Sequence, residues 1–405
     1  MKLLKETKIK IIFIIIFFIV NFSAEFCYRS YLFDNSVSIA TFVQDKLSWA
    51  ISPLKIYTNI GILSFLWIYI IFLFFPISYC YVFFLNIIIS LHVCNYFKLI
   101  YGEGRPFLKK GGENIQKACE AGYGNPSGHS LESTSAFLGI SQTLIDIWEL
   151  GTVPQIIIYI INAILILLIN LSRVILGVHS VNQVIFGDIL GFTIYFIIFQ
   201  IIKPHKRDAK IFFERFLNTK YLMINLLSFF IILLYIILGA IICNREEDPE
   251  YKELKEKLKK LCGTYENSML TRDSVYKSLS IMAYFGMILG LNSLARNIKN
   301  NYFSRYNEAN YYNKNTRKKW YTTFGIQFLF LIIFFIPFIS FGLVPNKVNI
   351  YILYIIGSSI PMFILGFLLF GPYFIFVISF KAANIELYIP ELSKEGLIEY
   401  KLDED

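Results

Sequence analysis

Charge is scarce in this sequence. Lys, Arg, Asp and Glu make up 17% of its 405 residues, where a soluble domain carries about 25%. The polar surface that a water-soluble fold of this size requires is therefore missing, and a soluble globular enzyme is excluded. Cysteine is sparse too: six in the whole chain do not amount to a disulfide scaffold. Histidine is sparser still, at four, so any imidazole chemistry has few positions to use.

Apolar runs fill the space that charge leaves. The chain is 56% hydrophobic with mean hydropathy +0.56. A hydrocarbon core of roughly 30 Å takes about 20 apolar residues per helix, and runs of that kind recur. The pattern predicts an all-α, polytopic transmembrane helical bundle of ten spans. They lie at 11–20, at 56–101 divided near Pro76, and at 129–147, 153–171, 181–202, 221–243, 275–294, 321–341 and 350–369. The expected organisation is a first helix and loop over 1–55, a core over 56–202, further spans over 203–380 and a polar tail over 381–405.

The first apolar run follows Lys2, Lys5, Lys8 and Lys10 and reads as a signal peptide or a signal-anchor helix. The absence of a small-x-small cleavage site favours the retained helix, followed by a polar loop from Phe26 to Leu54. The net charge of +9 belongs to loops on one side of a membrane; nucleic acid is not an expected partner. With ten spans, the basic start, Lys203–Lys220 and Arg296–Lys319 all fall on the cytoplasmic side. Arg245–Asp273 is balanced in charge and reads as a surface amphipathic helix, with Glu253 and Lys257 four apart. Cys27, Cys119, Cys243 and Cys262 fall on the opposite side, where disulfides are permitted; their pairing does not follow from the sequence.

Three polar patches interrupt the apolar pattern, all on that non-cytoplasmic side. The first is Lys98-x6-Arg105-Pro106. The second is Asn125-Pro126-Ser127-Gly128-His129. The third is Ser172-Arg173-x5-His179. Arg offers a planar fork to phosphate oxygens and Lys a compact charge, although basic residues at span ends also snorkel toward water. Asn125 reads as an N-cap with Pro126 in the first turn, leaving the N–H groups of Ser127, Gly128 and His129 at an anion-binding helix start. Gly177 reads as a helix breaker before His179. One imidazole can attack phosphorus and the other can protonate the leaving oxygen. Three such spacings on one face outweigh the structural reading of each alone.

The three patches resemble the signature motifs of the type 2 phosphatidic acid phosphatase superfamily, Lys-x6-Arg-Pro, Pro-Ser-Gly-His and Ser-Arg-x5-His-x3-Asp. The resemblance covers about 56–202. It implies a core of six helices, a metal-independent phosphatase without cofactor, and a phosphohistidine intermediate. It assigns His179 as nucleophile and His129 as general acid, with Lys98, Arg105, Arg173, Ser127 and Gly128 holding phosphate. Where most of that superfamily has Asp, this chain has Gln183. Gln183 can accept from the His179 ring, or it can close a Ser180-x-x-Gln183 capping box; both readings stand. Glu132, one helical turn past His129, either lines the pocket or favours the helix start electrostatically. His92 and His205 are set aside.

The Gln and the extra spans resemble the glucose-6-phosphatase branch, as does the Gly286–Ser293 stretch more weakly. That branch implies a sugar phosphate substrate and a luminal site in the endoplasmic reticulum, with other secretory membranes open. Lipid phosphates and prenyl diphosphates are the alternative substrates. A second class of function is a non-catalytic protein that keeps the anion site. Apart from substrate and membrane lipids, the sequence names no partner, transporter or otherwise.

Overall fold

The computed structural model describes residues 2–46, 49, 51–62, 77–108, 115, 120, 122–202, 223, 252–253, 256–257, 259–260, 280–301, 363–364 and 366–367. Among these there are helices and connecting turns and no strand. The helices are α1 (Lys2–Lys46), α2 (Ile51–Ile62), α3 (Ile77–Tyr101), α4 (Gly128–Trp148), α5 (Thr152–Ile175), α6 (Val181–Tyr195) and α7 (Ile281–Asn301). A 3-10 turn covers Pro106–Leu108, and a π-helical stretch, Phe196–Ile202, extends α6.

Among the described residues, four stretches are long and apolar enough to cross a bilayer: Glu6–Lys46, Tyr81–Leu108, Thr152–Ile175 and Val181–Ile202. The protein is thus an integral membrane protein built as a helical bundle. The expected spans at 221–243 and 321–341, and most of those at 56–76 and 350–369, lie outside the described residues. In the surface segment after Arg245, Lys257 pairs with Glu253 at 2.7 Å. Cys27 and Cys94 form no disulfide; the side chains of the other cysteines are not among those described.

The first helix differs from expectation. It does not give way to a loop at Phe26 but continues to Lys46. Nothing between Asn21 and Ser52 is Gly or Pro, so no residue there breaks the helix. Phe13 and Phe17 of α1 meet Phe196 and Phe192, with ring centroids 5.4 and 5.2 Å apart. Phe22 meets Phe186 at 6.0 Å, and Phe97 of α3 lies edge-on to Phe186 at 5.4 Å.

The chain divides into two compact units. The first holds α1, α2, α3 from Val82 onward and α4 to α6. Within it α4 and α6 approach most closely. A Cβ on Gly187 or Gly191 would collide with the Ser127 or Leu131 carbonyl, so this pair of small residues four apart sets the helix separation. The second unit holds α7, where Gly286 faces the backbone of Phe363 with no room for a Cβ.

α5 has two unlike faces. Ile156, Ile160, Ile164, Leu167 and Leu171 are exposed, as suits a lipid-facing stripe. Asn162, Asn170, Ser172 and Arg173 are buried on the other side.

Candidate active site

Each polar patch sits where a helix ends. α3 stops at Tyr101, Gly102 turns with φ 57°, and the chain runs on to Arg105. α4 begins at Gly128, directly after the Asn125–Ser127 turn. Arg173 lies in the last turn of α5, which ends at Ile175 with Leu176 as its C-cap. Gly177 then takes φ 69°, a left-handed value that disfavours side chains. That turn delivers His179 to the start of α6.

Two expectations about the second patch are corrected. The N-cap of α4 is Ser127, not Asn125: Ser127 Oγ accepts from the Ser130 N–H at 3.4 Å. The Ser127 N–H is not available to an anion either, because it donates to the Gln183 carbonyl at 2.9 Å. The next two N–H groups, of Gly128 and His129, are first-turn donors without an intrahelical acceptor.

His179 is 1% exposed. Its Nδ1 faces two oxygens, the Gly124 carbonyl at 2.9 Å and Gln183 Oε1 at 3.2 Å. Both can only accept, so this network assigns the ring proton to Nδ1. Nε2 then keeps its lone pair, which accepts from Arg105 Nη1 at 3.3 Å. Burial, followed by the guanidiniums of Arg105 and Arg173, holds the imidazole's protonation well below the usual histidine range. The result is a neutral imidazole with its free nitrogen on the arginine side.

Gln183 satisfies both of its sequence readings. Its Oε1 receives the His179 ring and also the Ser180 N–H at 3.2 Å, closing the capping box. Its Nε2 donates to the Gly104 carbonyl at 3.0 Å. An aspartate has no donor for that third bond.

The two arginines converge on one group. Arg105 Nη1 lies 2.8 Å from Glu120 Oε2, and its Nε donates to the Gly122 carbonyl at 3.0 Å. Arg173 Nη2 reaches both Glu120 oxygens, at 2.6 and 2.7 Å, while Nη1 donates to Thr58 at 3.1 Å. Partial burial pushes the Glu120 carboxyl up, but Arg105 and Arg173 outweigh it and hold it well below the usual carboxylate range. Its two oxygens thus accept from both guanidiniums at once.

The sequence reading missed Glu120. It belongs to no motif spacing, and a lone acid in a polar loop carries no signal of its own. Two polar atoms near this carboxylate lack a hydrogen-bond partner: Arg173 Nε and His129 Nε2, both buried. His129 lies within electrostatic reach of Arg173, Glu120, Lys98 and Arg105. Lys98 is buried, and a Cβ placed on Gly128 would stand 4.0 Å from its Nζ and 3.7 Å from Glu132 Oε1. Glu132 therefore lies on the Lys98 side of the α4 start. Ser172 does not reach this cradle; its hydroxyl bonds back to Ile169 within α5. His92 stacks on Tyr96 along α3.

A cleft of about 570 Å³ is lined by Phe26, Arg29, Ser30, Phe33, Asp34 and Glu103. Among the described residues no group of acidic, His and Cys side chains could hold a metal ion.

Residues 75–207 match the PAP2 superfamily. All three patches fall inside that stretch. Phosphatidylglycerophosphatase B of Bacillus subtilis (strain 168) is 32% identical over 79 residues, which is 20% of this chain and 39% of that relative. The chain thus covers about two fifths of the relative's length. No solved structure matches. Nothing in these comparisons carries the expected glucose-6-phosphatase branch or a location in the endoplasmic reticulum.

Proposed function

We propose that this protein is an integral-membrane phosphatase of the PAP2 type that hydrolyses a phosphomonoester, with a lipid phosphate as substrate. The observation that carries the reading is that Arg105 and Arg173 both pair with the Glu120 carboxylate while Arg105 Nη1 also meets His179 Nε2. In this reading the substrate phosphate displaces Glu120. Arg105, Arg173, Lys98 and the N–H groups of Gly128 and His129 hold its oxygens. The His179 Nε2 lone pair forms a bond to phosphorus as the bond to the leaving oxygen breaks. His129 gives its proton to that oxygen. Water then attacks the phosphohistidine, His129 takes a water proton, and the P–N bond breaks to release phosphate. The role of Gln183 is to keep the proton on Nδ1, through an amide oxygen rather than a carboxylate.

The lipid substrate follows from the relative's name and from the position of the site at helix ends in a bilayer. On this reading the site faces the exoplasmic or luminal side, which the distribution of basic loops in the sequence favours. A sugar phosphate remains the second reading; it rests on Gln183, the added spans and, more weakly, the Gly286–Ser293 stretch.

The test is hydrolysis by the purified full-length protein of phosphatidylglycerophosphate, phosphatidate, a prenyl diphosphate and glucose 6-phosphate. Release of phosphate from a lipid substrate is expected, and preference for glucose 6-phosphate would overturn that substrate assignment. His179→Ala is expected to lower kcat by on the order of 10⁴-fold or more. Retention of turnover in that variant would remove the phosphohistidine step.

A further inference from the structure

Helix α1 lies outside the residues that match the superfamily, and the sequence reads as a simple anchor there. Its buried contacts say otherwise. Ile14, Glu25 and Ser36 are each buried, and they recur every eleven residues, three helical turns, along one line of α1. Glu25 is 0% exposed within a membrane-crossing stretch. A carboxylate there is costly and requires partners.

Besides Arg29 Nε on its own helix, at 3.9 Å, its partners belong to the polar patches. Glu25 Oε2 accepts from Tyr101 Oη at 3.1 Å and Oε1 accepts from Asn125 Nδ2 at 3.2 Å. Tyr101 lies between Lys98 and Arg105, and Asn125 opens the Pro126-Ser127-Gly128-His129 turn. Arg29, one turn further along α1, pairs with Glu103 at 3.4 Å and covers the Tyr101 ring at 4.5 Å. Ser36 Oγ accepts from the Val181 N–H at 2.8 Å, two residues past His179. Gln44 Nε2 donates to the Ile175 carbonyl at 2.9 Å, two residues past Arg173. One helix therefore ties down all three patches, each at the backbone or side chain next to a residue of the cradle.

We infer that α1 is a wall of the catalytic site and that Glu25 is a positioning residue, holding the Asn125–Ser127 turn against the Tyr101–Arg105 loop. The inference rests on the phosphatase reading for its kinetic test but not for its binding test. Glu25 touches no residue that contacts the anion place directly. Its effect passes through Asn125, which sets where α4 starts, and so where His129 and the Gly128 N–H stand. A shift of 1 Å in such a start is enough to cost about 10²-fold in rate.

The experiment compares full-length wild type with Glu25→Ala, Glu25→Gln and Ile15→Ala in detergent. Ile15 is an exposed position on the same helix. For each, kcat and KM on the lipid phosphate, vanadate affinity and the unfolding midpoint are measured. Glu25→Ala is expected to lower kcat at least tenfold, with the midpoint close to wild type. Glu25→Gln keeps one acceptor oxygen and should recover part of the loss. Ile15→Ala should match wild type. Wild-type kcat and vanadate affinity in Glu25→Ala would overturn the inference while leaving the phosphatase reading intact, provided His179→Ala is inactive. An equal loss in Ile15→Ala would also overturn it, since the helix would then matter only as an anchor. If wild type hydrolyses none of the substrates, the phosphatase reading fails. The inference is then decided by vanadate affinity alone: a tenfold weakening in Glu25→Ala supports it and no change overturns it. Should Glu25→Ala not fold, Glu25→Gln carries the same comparison.

Discussion

Helices α4 and α5 are neighbours in chain and in space, yet they solve opposite problems. α4 is rich in Ser and Thr and buries Ser130, Ser133, Thr134, Ser135, Ser141 and Thr143. α5 turns Ile156, Ile160, Ile164 and Leu167 outward. By the hydropathy of its sequence, α5 is an obvious membrane span and α4 is not among the four such stretches. The inversion has a physical reason. Lipid is as apolar as a leucine core, so the outer helix need only be greasy. The inner helix has no water to satisfy its polar groups and must find protein partners. Thr134 and Asn170 both donate to Asp188, and Asn162 donates to Ser141. In a bilayer, then, the polar helix is the one that marks the site.

That contrast can be tested from its charged end outward. Glu120→Gln removes the carboxylate that neutralises Arg105 and Arg173. Because Glu120 is 37% exposed, the cost is discounted to about 1–2 kcal/mol. Thermal unfolding should show the loss without phosphate and its recovery when phosphate or vanadate fills the cradle. Failure of the anion to restore stability would separate Glu120 from the phosphate place.

Stability should also depend on pH with a definite sign. The unfolded chain binds the His179 proton near 6.5, whereas the folded chain binds it only well below that. The unfolded state therefore holds more protons in that window, and stability is greatest above pH 6.5 and declines as the pH falls. Glu120 adds a loss of the same sign below about 4.5. Unfolding midpoints measured between pH 8 and pH 4 check this, and a His179→Ala protein should show a shallower decline just below pH 6.5.

Smaller effects belong to the interior and then to the lipid face. Thr134→Val takes one donor from Asp188 and should cost about 1 kcal/mol. Ile164→Ala, on the outer face of α5, should change stability by no more than about 0.5 kcal/mol. If the two costs were equal, the inner and outer helices would not differ as described.

The helical membrane class and the residues of the three patches were legible in the chain because both are local signals. Apolar run length is local, and so are Lys98-x6-Arg105 and Arg173-x5-His179. Gln183 was legible in both of its roles because a capping box and a ring contact four residues away are short-range features. The N-cap of α4 was misread, since Asn125 and Ser127 are both good capping types and only packing decides between them. Asn125 is drawn to Glu25 and Ser127 is left to cap.

What the sequence determined by itself was a hydrophobic chain with three polar spacings at helix ends. What only the tertiary structure decided was which distant groups complete them. Glu120 lies 53 residues from Arg173 and Glu25 lies 100 residues from Asn125. No periodicity spans such separations. They are set by helix packing, in which glycines such as Gly187 and Gly191 let backbones approach and buried charges take the nearest partner that the fold brings within reach.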